Sequence, residues 1–220
     1  MKSVLKFLNK LNNNNDRDWF KANKLEYESA RDDLIVFVDE MIGRIAEFDP
    51  LIEGLDAKRC LFRIYRDVRF SKDKRPYKTN FGASINPGGR KSSVAGYYIH
   101  LEPGNCFLAG GNYMPDSKNL LAIRNSIIEN PKEFLAIEKD KKFKKSFGEI
   151  YGAKLKTAPR GFPKDHEMIK HLRLKGFIAY HDKIPDKTVT GEKYGDYAIK
   201  VFQVMTPLID FLRKATKAKK

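Results

Sequence analysis

Between residues 62 and 81 the chain reads FRIYRDVRFSKDKRPYKTNF, with Arg63, Arg66 and Arg69 recurring every third residue around Asp67. Guanidinium groups are planar, permanently charged donor forks that match the oxygens of a carboxylate or a phosphate. With Lys74 and Lys78 close by, the cations exceed what Asp67 and Asp73 neutralise, which leaves a net positive cluster. Two arrangements fit this composition. In the first, Arg63, Arg66 and Arg69 hold an anion, Asp67 orients them, and Lys74, Tyr77 and Lys78 line the edge. Asp67 or Asp73 would then be the base or a Mg²⁺ ligand if the bound molecule is turned over. In the second, Asp67 bridges two arginines in a structural lattice and Tyr77 covers their planes. Ion-pair networks of that kind perturb local electrostatics as functional sites do.

The remaining motifs mostly exclude. The glycine-rich NPGGRKSS stretch at 86–93 lacks the Gly-Lys-Ser/Thr run into a helix that a phosphate-binding loop requires, because Arg90 intervenes and the strand-like VAGYYIHL follows. His100, His166, His171 and His181 contain no i,i+4 pair and no H-E-x-x-H, which argues against a dedicated zinc site. No G-x-S-x-G elbow is present, and Cys60 and Cys106 sit in no nucleophile signature. Two cysteines beside apolar residues are small core side chains in a reducing compartment, not a disulfide framework.

Elements that must position the cluster follow from periodicity. If 60–70 is a strand, alternation places Arg63, Tyr65, Asp67 and Arg69 on one face and Phe62, Ile64, Arg66, Val68 and Phe70 on a core face. SKDKRP is then a turn, and YKTNFGASI returns with Tyr77 and Lys78 toward the same surface. Residues 94–101 and 105–110 are further short strands. The turns at 86–92 and 102–105 are too short for a crossover helix, so sequential strands pair antiparallel.

On the N-terminal side, Val4, Phe7, Leu8 and Leu11 mark a helix. A long helix over 16–48 follows, capped by Asn15 or Asp16, with Phe20, Tyr27, Leu34, Val38 and Ile42 on one face and Trp19 packing it against the sheet or, alternatively, walling the arginine cluster. Helices capped by Asp116 or Ser117 and by Asn130, a short helix at 165–172, a strand at 175–183 and a C-terminal helix from 194, kinked or broken at Pro207, complete the order. The expectation is one α+β domain over 1–220: a central antiparallel meander with a long N-terminal helix and C-terminal helices packed against it.

Forty-three Lys and Arg against 28 Asp and Glu give a net charge of +15, an excess that attracts polyanions. Part of it lies in 139–147 and in 213–220, expected to be a solvated helix end and a frayed, dispensable tail. No apolar leader and no stretch of membrane-spanning length is evident, which points to a cytoplasmic protein.

The run Arg63-x-x-Arg66-Asp67-x-Arg69-Phe70-x-x-Asp73-Lys74-x-x-Tyr77 resembles the signature of an uncharacterised, mainly bacterial domain-of-unknown-function family. NNNNDRDWFKANKLEY, GNYMPDSKNLLAIR and LKTAPRGFPKDH extend the resemblance over most of the chain. It implies a one-domain protein and supplies no activity, cofactor or catalytic residue. Three functions therefore stand in order. First is a binding or catalytic site for a phosphate- or carboxylate-bearing small ligand at Arg63, Arg66, Asp67, Arg69, Lys74, Tyr77 and Lys78. Second is a nucleic-acid-binding module with Tyr65, Tyr97 or Tyr98 stacking bases. Third is a protein-interaction domain for an acidic partner.

Overall fold

The computed structural model describes residues 1–217. Helix α1 (Lys2–Asn13) buries Val4, Phe7, Leu8 and Leu11, as their spacing predicts. Asp16 then caps α2 (Arg17–Ala22), its carboxylate accepting the Trp19 N–H at 2.8 Å. The single helix expected over 16–48 is interrupted at Asn23, whose side-chain amide donates to the Trp19 carbonyl at 2.9 Å and closes α2. The Asn23 backbone N–H donates to the same carbonyl at 3.0 Å, so side chain and main chain together close the last turn of α2. Helix α3 (Lys24–Ala46) starts afresh and buries Ala30, Leu34, Val38, Met41, Ile42 and Ile45.

After the short α4 (Ala57–Cys60), strands β1 (Phe81–Ile85), β2 (Gly96–Leu101) and β3 (Cys106–Asn112) form the expected meander, and β4 (Phe177–Ile184) joins β3. All pairs are antiparallel, in the order β1-β2-β3-β4. The β1–β2 connection turns through Gly88 (φ 92°) and Gly89 (φ 75°), and a Cβ on Gly89 would lie 2.7 Å from the Arg59 carbonyl oxygen. The glycines of this stretch thus serve a turn. Helices α5 (Ser117–Glu129), α6 (Pro131–Lys139), α7 (Lys141–Phe147) and α8 (Ile169–Leu172) separate β3 from β4, and α9 (Asp186–Val189) and α10 (Tyr194–Thr216) follow. Asp116 supplies the α5 cap.

Helices cover one face of the sheet. Phe81, Ala83, Ile85, Tyr97, Ile99, Leu101, Cys106, Leu108, Phe177 and Ala179 all point into the core. Helix α10 lies across β3 so closely that a Cβ on Gly110 would meet Met205 Sδ at 2.8 Å. Phe7 of α1 and Tyr27 of α3 reach the same face at Phe81, with ring centroids 6.2 and 6.1 Å away. Trp19 stacks on Phe7 at 6.3 Å, within this helical layer.

Two expectations are corrected. Residues 60–70 form no strand: only Leu61↔Ala83 and Tyr65↔Tyr77 bridge. Ile64 is buried, but Phe62 is exposed and Phe70 is 96% exposed, so the expected core face does not exist. Asp67 accepts the Arg69 N–H at 3.3 Å and Asp73 accepts the Arg75 N–H at 3.0 Å. These side-chain turns compete with a β ladder, and Pro76 has no N–H to contribute. The C-terminal stretch is also not a frayed tail over the described residues. Helix α10 runs unbroken through Pro207 to Thr216, and Arg213 is 3% exposed. Residues 218–220, the end of that expected tail, lie outside the described residues.

Arg213 makes a two-oxygen pair with Asp49, itself 4% exposed, through Nη1 at 2.7 and 2.8 Å, and its Nε donates to the Ala95 carbonyl at 2.8 Å. Arg213→Ala leaves a buried carboxylate without its partner and should cost about 3–5 kcal/mol in urea unfolding. The apolar double replacement Asp49→Leu/Arg213→Met should recover most of that loss. A single-mutant loss below about 1 kcal/mol, the range of an exposed pair, would contradict this account.

Candidate functional site

Segment 62–80 is held to the body from two sides. Phe62 N–H donates to the Gly82 carbonyl at 2.9 Å, Lys78 N–H to Ile64 at 2.8 Å, and Arg66 N–H to Pro76 at 2.9 Å, so the segment doubles back as an irregular edge beside β1. Asn15 fastens that edge to the helices, its amide donating to the Tyr77 carbonyl at 3.0 Å and its oxygen accepting the Tyr77 N–H at 3.1 Å. Here Asn15 acts as a side-chain stand-in for a strand neighbour, and Asp16 alone takes the capping role.

The acids divide the arginines differently from the expected lattice. Asp67 pairs with Arg69 alone, through Nε at 3.0 Å and Nη2 at 2.7 Å, in a highly exposed fork. Asp73 is the residue that bridges two guanidiniums, Arg66 at 2.7 Å and Arg75 at 2.8 Å. Arg66 also donates to the Arg75 carbonyl at 3.2 Å and to Ser71 Oγ at 3.4 Å. Hydrogen bonds from Arg75, then from Arg66, hold the Asp73 carboxyl well below the usual carboxylate range, and Arg69 lowers that of Asp67. Both carboxylates already accept hydrogen bonds from guanidinium groups, so a base or Mg²⁺ role would compete with these pairs. Lys74 Nζ donates to the Val68 carbonyl at 3.1 Å. Tyr77 is buried, stacked on Phe20 with centroids 4.0 Å apart, and its ring lies in the core.

Arg63 and Lys78 remain. Among the described residues neither has a carboxylate within 4.0 Å. Lys78 is half-buried, its Nζ 5.7 Å from the centre of the Phe62 ring. Burial, and secondly the charge of Arg63, push its pKa down.

Phe62 leads onto the sheet face that the helices leave uncovered. There Tyr98, on β2, packs edge-on to Phe62 at 6.2 Å, and its hydroxyl meets His100 Nδ1 at 3.1 Å. A Cβ on Gly82 would lie 2.5 Å from that hydroxyl, so a glycine is needed beneath it. His100 stacks on Phe107 at 4.3 Å and 12°, and its Nε2 lies 3.5 Å from Glu102. Thr79 and Asn105 each donate to Glu102 at 2.7 Å. Burial pushes the Tyr98 phenol up to about 12 and lowers His100, the latter against the pull of Glu102. Burial raises Glu102, but its hydrogen bonds outweigh this and its pKa falls. A tyrosine, a neutral histidine and an oriented carboxylate thus form one polar line on the open face. The expected stacking residue Tyr97 is its opposite, 1% exposed with its hydroxyl 3.2 Å from Thr206. Tyr98, His100 and Glu102 alternate in YYIHLE, and that period of two was the available signal for the line.

Elsewhere, a depression of about 590 Å³ opens among Met1, Phe37, Arg44 and residues 189–196. Arg44 is engaged there by Glu40 and Asp196. None of residues 62–80 lines this depression. Among the described residues no three His, Cys, Asp or Glu side chains are grouped to hold a metal ion. Cys60 and Cys106 are buried and free, and burial raises their thiols to about 12 and about 11.

Two measurements check this geometry. Arg69→Ala removes only an exposed fork and should leave the melting temperature nearly unchanged, whereas Arg66→Ala strips Asp73, Ser71 and the Arg75 carbonyl of a donor and should lower it clearly; equal effects would refute the division. His100 has a folded pKa below its ordinary 6.5. The unfolded chain therefore takes up a proton first as pH falls, and the stabilisation present above pH 6.5 is lost on acidification through the folded value. His100→Gln should flatten that part of the stability profile, and the imidazole should titrate by NMR with a midpoint under 6.5; a midpoint above it would overturn the assignment.

No curated protein and no solved structure matches the chain. A family model does, over residues 3–211, which takes in both the basic edge and the open sheet face. The chain belongs to the conserved hypothetical protein family DUF2461.

Proposed function

We propose that the protein binds a small ligand bearing a phosphate or carboxylate, with Arg63 and Lys78 holding the anion and Phe62 and Tyr98 forming the adjoining wall. One observation carries this: Lys78 is a half-buried ammonium with no carboxylate partner among the described residues, beside Arg63, an exposed guanidinium that also lacks one. Burying a charge without a partner is unfavourable, and an anion held by Arg63 would relieve that cost at Lys78. The neighbouring acids are already engaged: Arg66 and Arg75 clamp Asp73, and Arg69 pairs with Asp67. The free, buried state of both cysteines supports the cytoplasmic setting expected from composition.

Lys78→Met keeps the apolar stem and deletes the charge. It should raise the melting temperature of the ligand-free protein and abolish the stabilisation that phosphate or a phosphorylated compound gives the wild type; Arg63→Ala should weaken the same response with little effect on folding. Were wild type and Lys78→Met to respond equally to every anion tried, the assignment of this site would fail.

A further inference from the structure

The open face holds more than the wall of an anion site. Phe62, Tyr98, Phe107, Tyr180 and Tyr151 form an unbroken line of rings, with successive centroids 6.2, 5.8, 4.9 and 6.1 Å apart. Phe62 stands on the irregular edge beside β1, and Tyr151 on the opposite edge, where it bridges Ile178 of β4. The line therefore crosses the whole sheet in four ring-to-ring steps and spans at most about 23 Å between its end rings. No ring on a helix contacts it among the described residues, while the rings of the other face, such as Tyr97, pack on α10. Its ends are open: Phe62 is 38% exposed and Tyr151 60%.

We infer that this face binds single-stranded nucleic acid, its bases stacking along the five rings and its phosphates entering at Arg63 and Lys78. The inference rests on the anion site proposed above and adds the chemical class of its ligand. Three features select this occupant. A line of five rings across the sheet is longer than one nucleotide and suits several successive bases, and every base has a π-face, so stacking tolerates sequence. The unpaired cations stand at one end of the line, where a backbone runs beside the stacked bases, and the chain carries +15 overall. Glu102, the carboxylate beside Tyr98, is already engaged by Thr79, Asn105 and His100. Asp182 stands beside Tyr180 toward the other end, so attraction to phosphate is concentrated at the Arg63 end and stacking carries the rest.

The test is fluorescence anisotropy of the full chain with a short labelled oligouridylate across a salt series, with adenosine monophosphate and inorganic phosphate as competitors. Wild type should bind with a modest salt dependence, a log–log slope of roughly −1.4 for two neutralised phosphates. Tyr151→Ala and Phe62→Ala should each weaken binding about ten-fold or more, in proteins whose melting temperatures show them folded. Lys78→Met should reduce the slope of log affinity against log salt by about 0.7. Tyr151 is remote from the cations, so a loss on its replacement is a readout that an anion pocket alone would not move. If phosphate or the mononucleotide binds but the oligonucleotide does so no better, or Tyr151→Ala binds it as wild type does, the inference is overturned and the small-ligand site stands. If neither phosphate nor any nucleotide binds, both fail.

Discussion

Arg213 and Asp49 are the pair on which most of the remaining geometry hangs. They join the last turn of α10 to the chain just beyond α3, and the Arg213 Nε bond to the Ala95 carbonyl reaches the residue immediately before β2. Both charges are withdrawn from water, so the attraction between them must offset a desolvation cost of several kcal/mol per ion, and only good geometry with further hydrogen bonds does so. The consequence is directional. The pair anchors the start of β2 from the helical side, and along that strand Tyr97, Ile99 and Leu101 are buried beneath the helices while Tyr98 and His100 lie on the opposite face.

One-sided coverage is the second constraint. Antiparallel sheets tolerate one solvated face, and here that face is aromatic instead of simply polar. Small residues make it possible. Gly82 leaves room for the Tyr98 hydroxyl, and Gly110 lets α10 approach the other side, so the same sheet is tight beneath and open above. The Tyr98–His100–Glu102 line is stiffened by Phe107, Thr79 and Asn105, whose contacts leave these polar groups little freedom to reorient.

In the basic edge, the distribution of acids matters more than the number of arginines. Asp73, between Arg66 and Arg75, is the knot of the segment, and the alternation that made Asp67 look central applies to a strand that does not form. Local turns at Asp67 and Asp73 consume the polar groups that a ladder would need. What is left over, Arg63 and Lys78, is positioned by backbone bonds to Gly82 and Ile64 and by the Asn15 side chain on Tyr77, and not by any ion pair among the described residues.

Local sequence pattern was enough to determine the α+β class, the antiparallel meander, the N-terminal apolar stripe and the hairpin role of the glycines at 88 and 89, and it narrowed the caps to Asn15 or Asp16 and to Asp116 or Ser117, between which the structure selects Asp16 and Asp116. The same sequence marked 62–81 as the chemically loaded stretch and contained the alternation of Tyr98, His100 and Glu102. Tertiary structure decided what local pattern does not encode. It split the long helix at Asn23, buried Tyr77 against Phe20 and Tyr97 beneath α10, drew Arg213 into the core to meet Asp49 across 164 positions of chain, and separated paired from unpaired cations. Which guanidinium keeps a carboxylate depends on distances between segments brought together by folding, and charge spacing along the chain is blind to them.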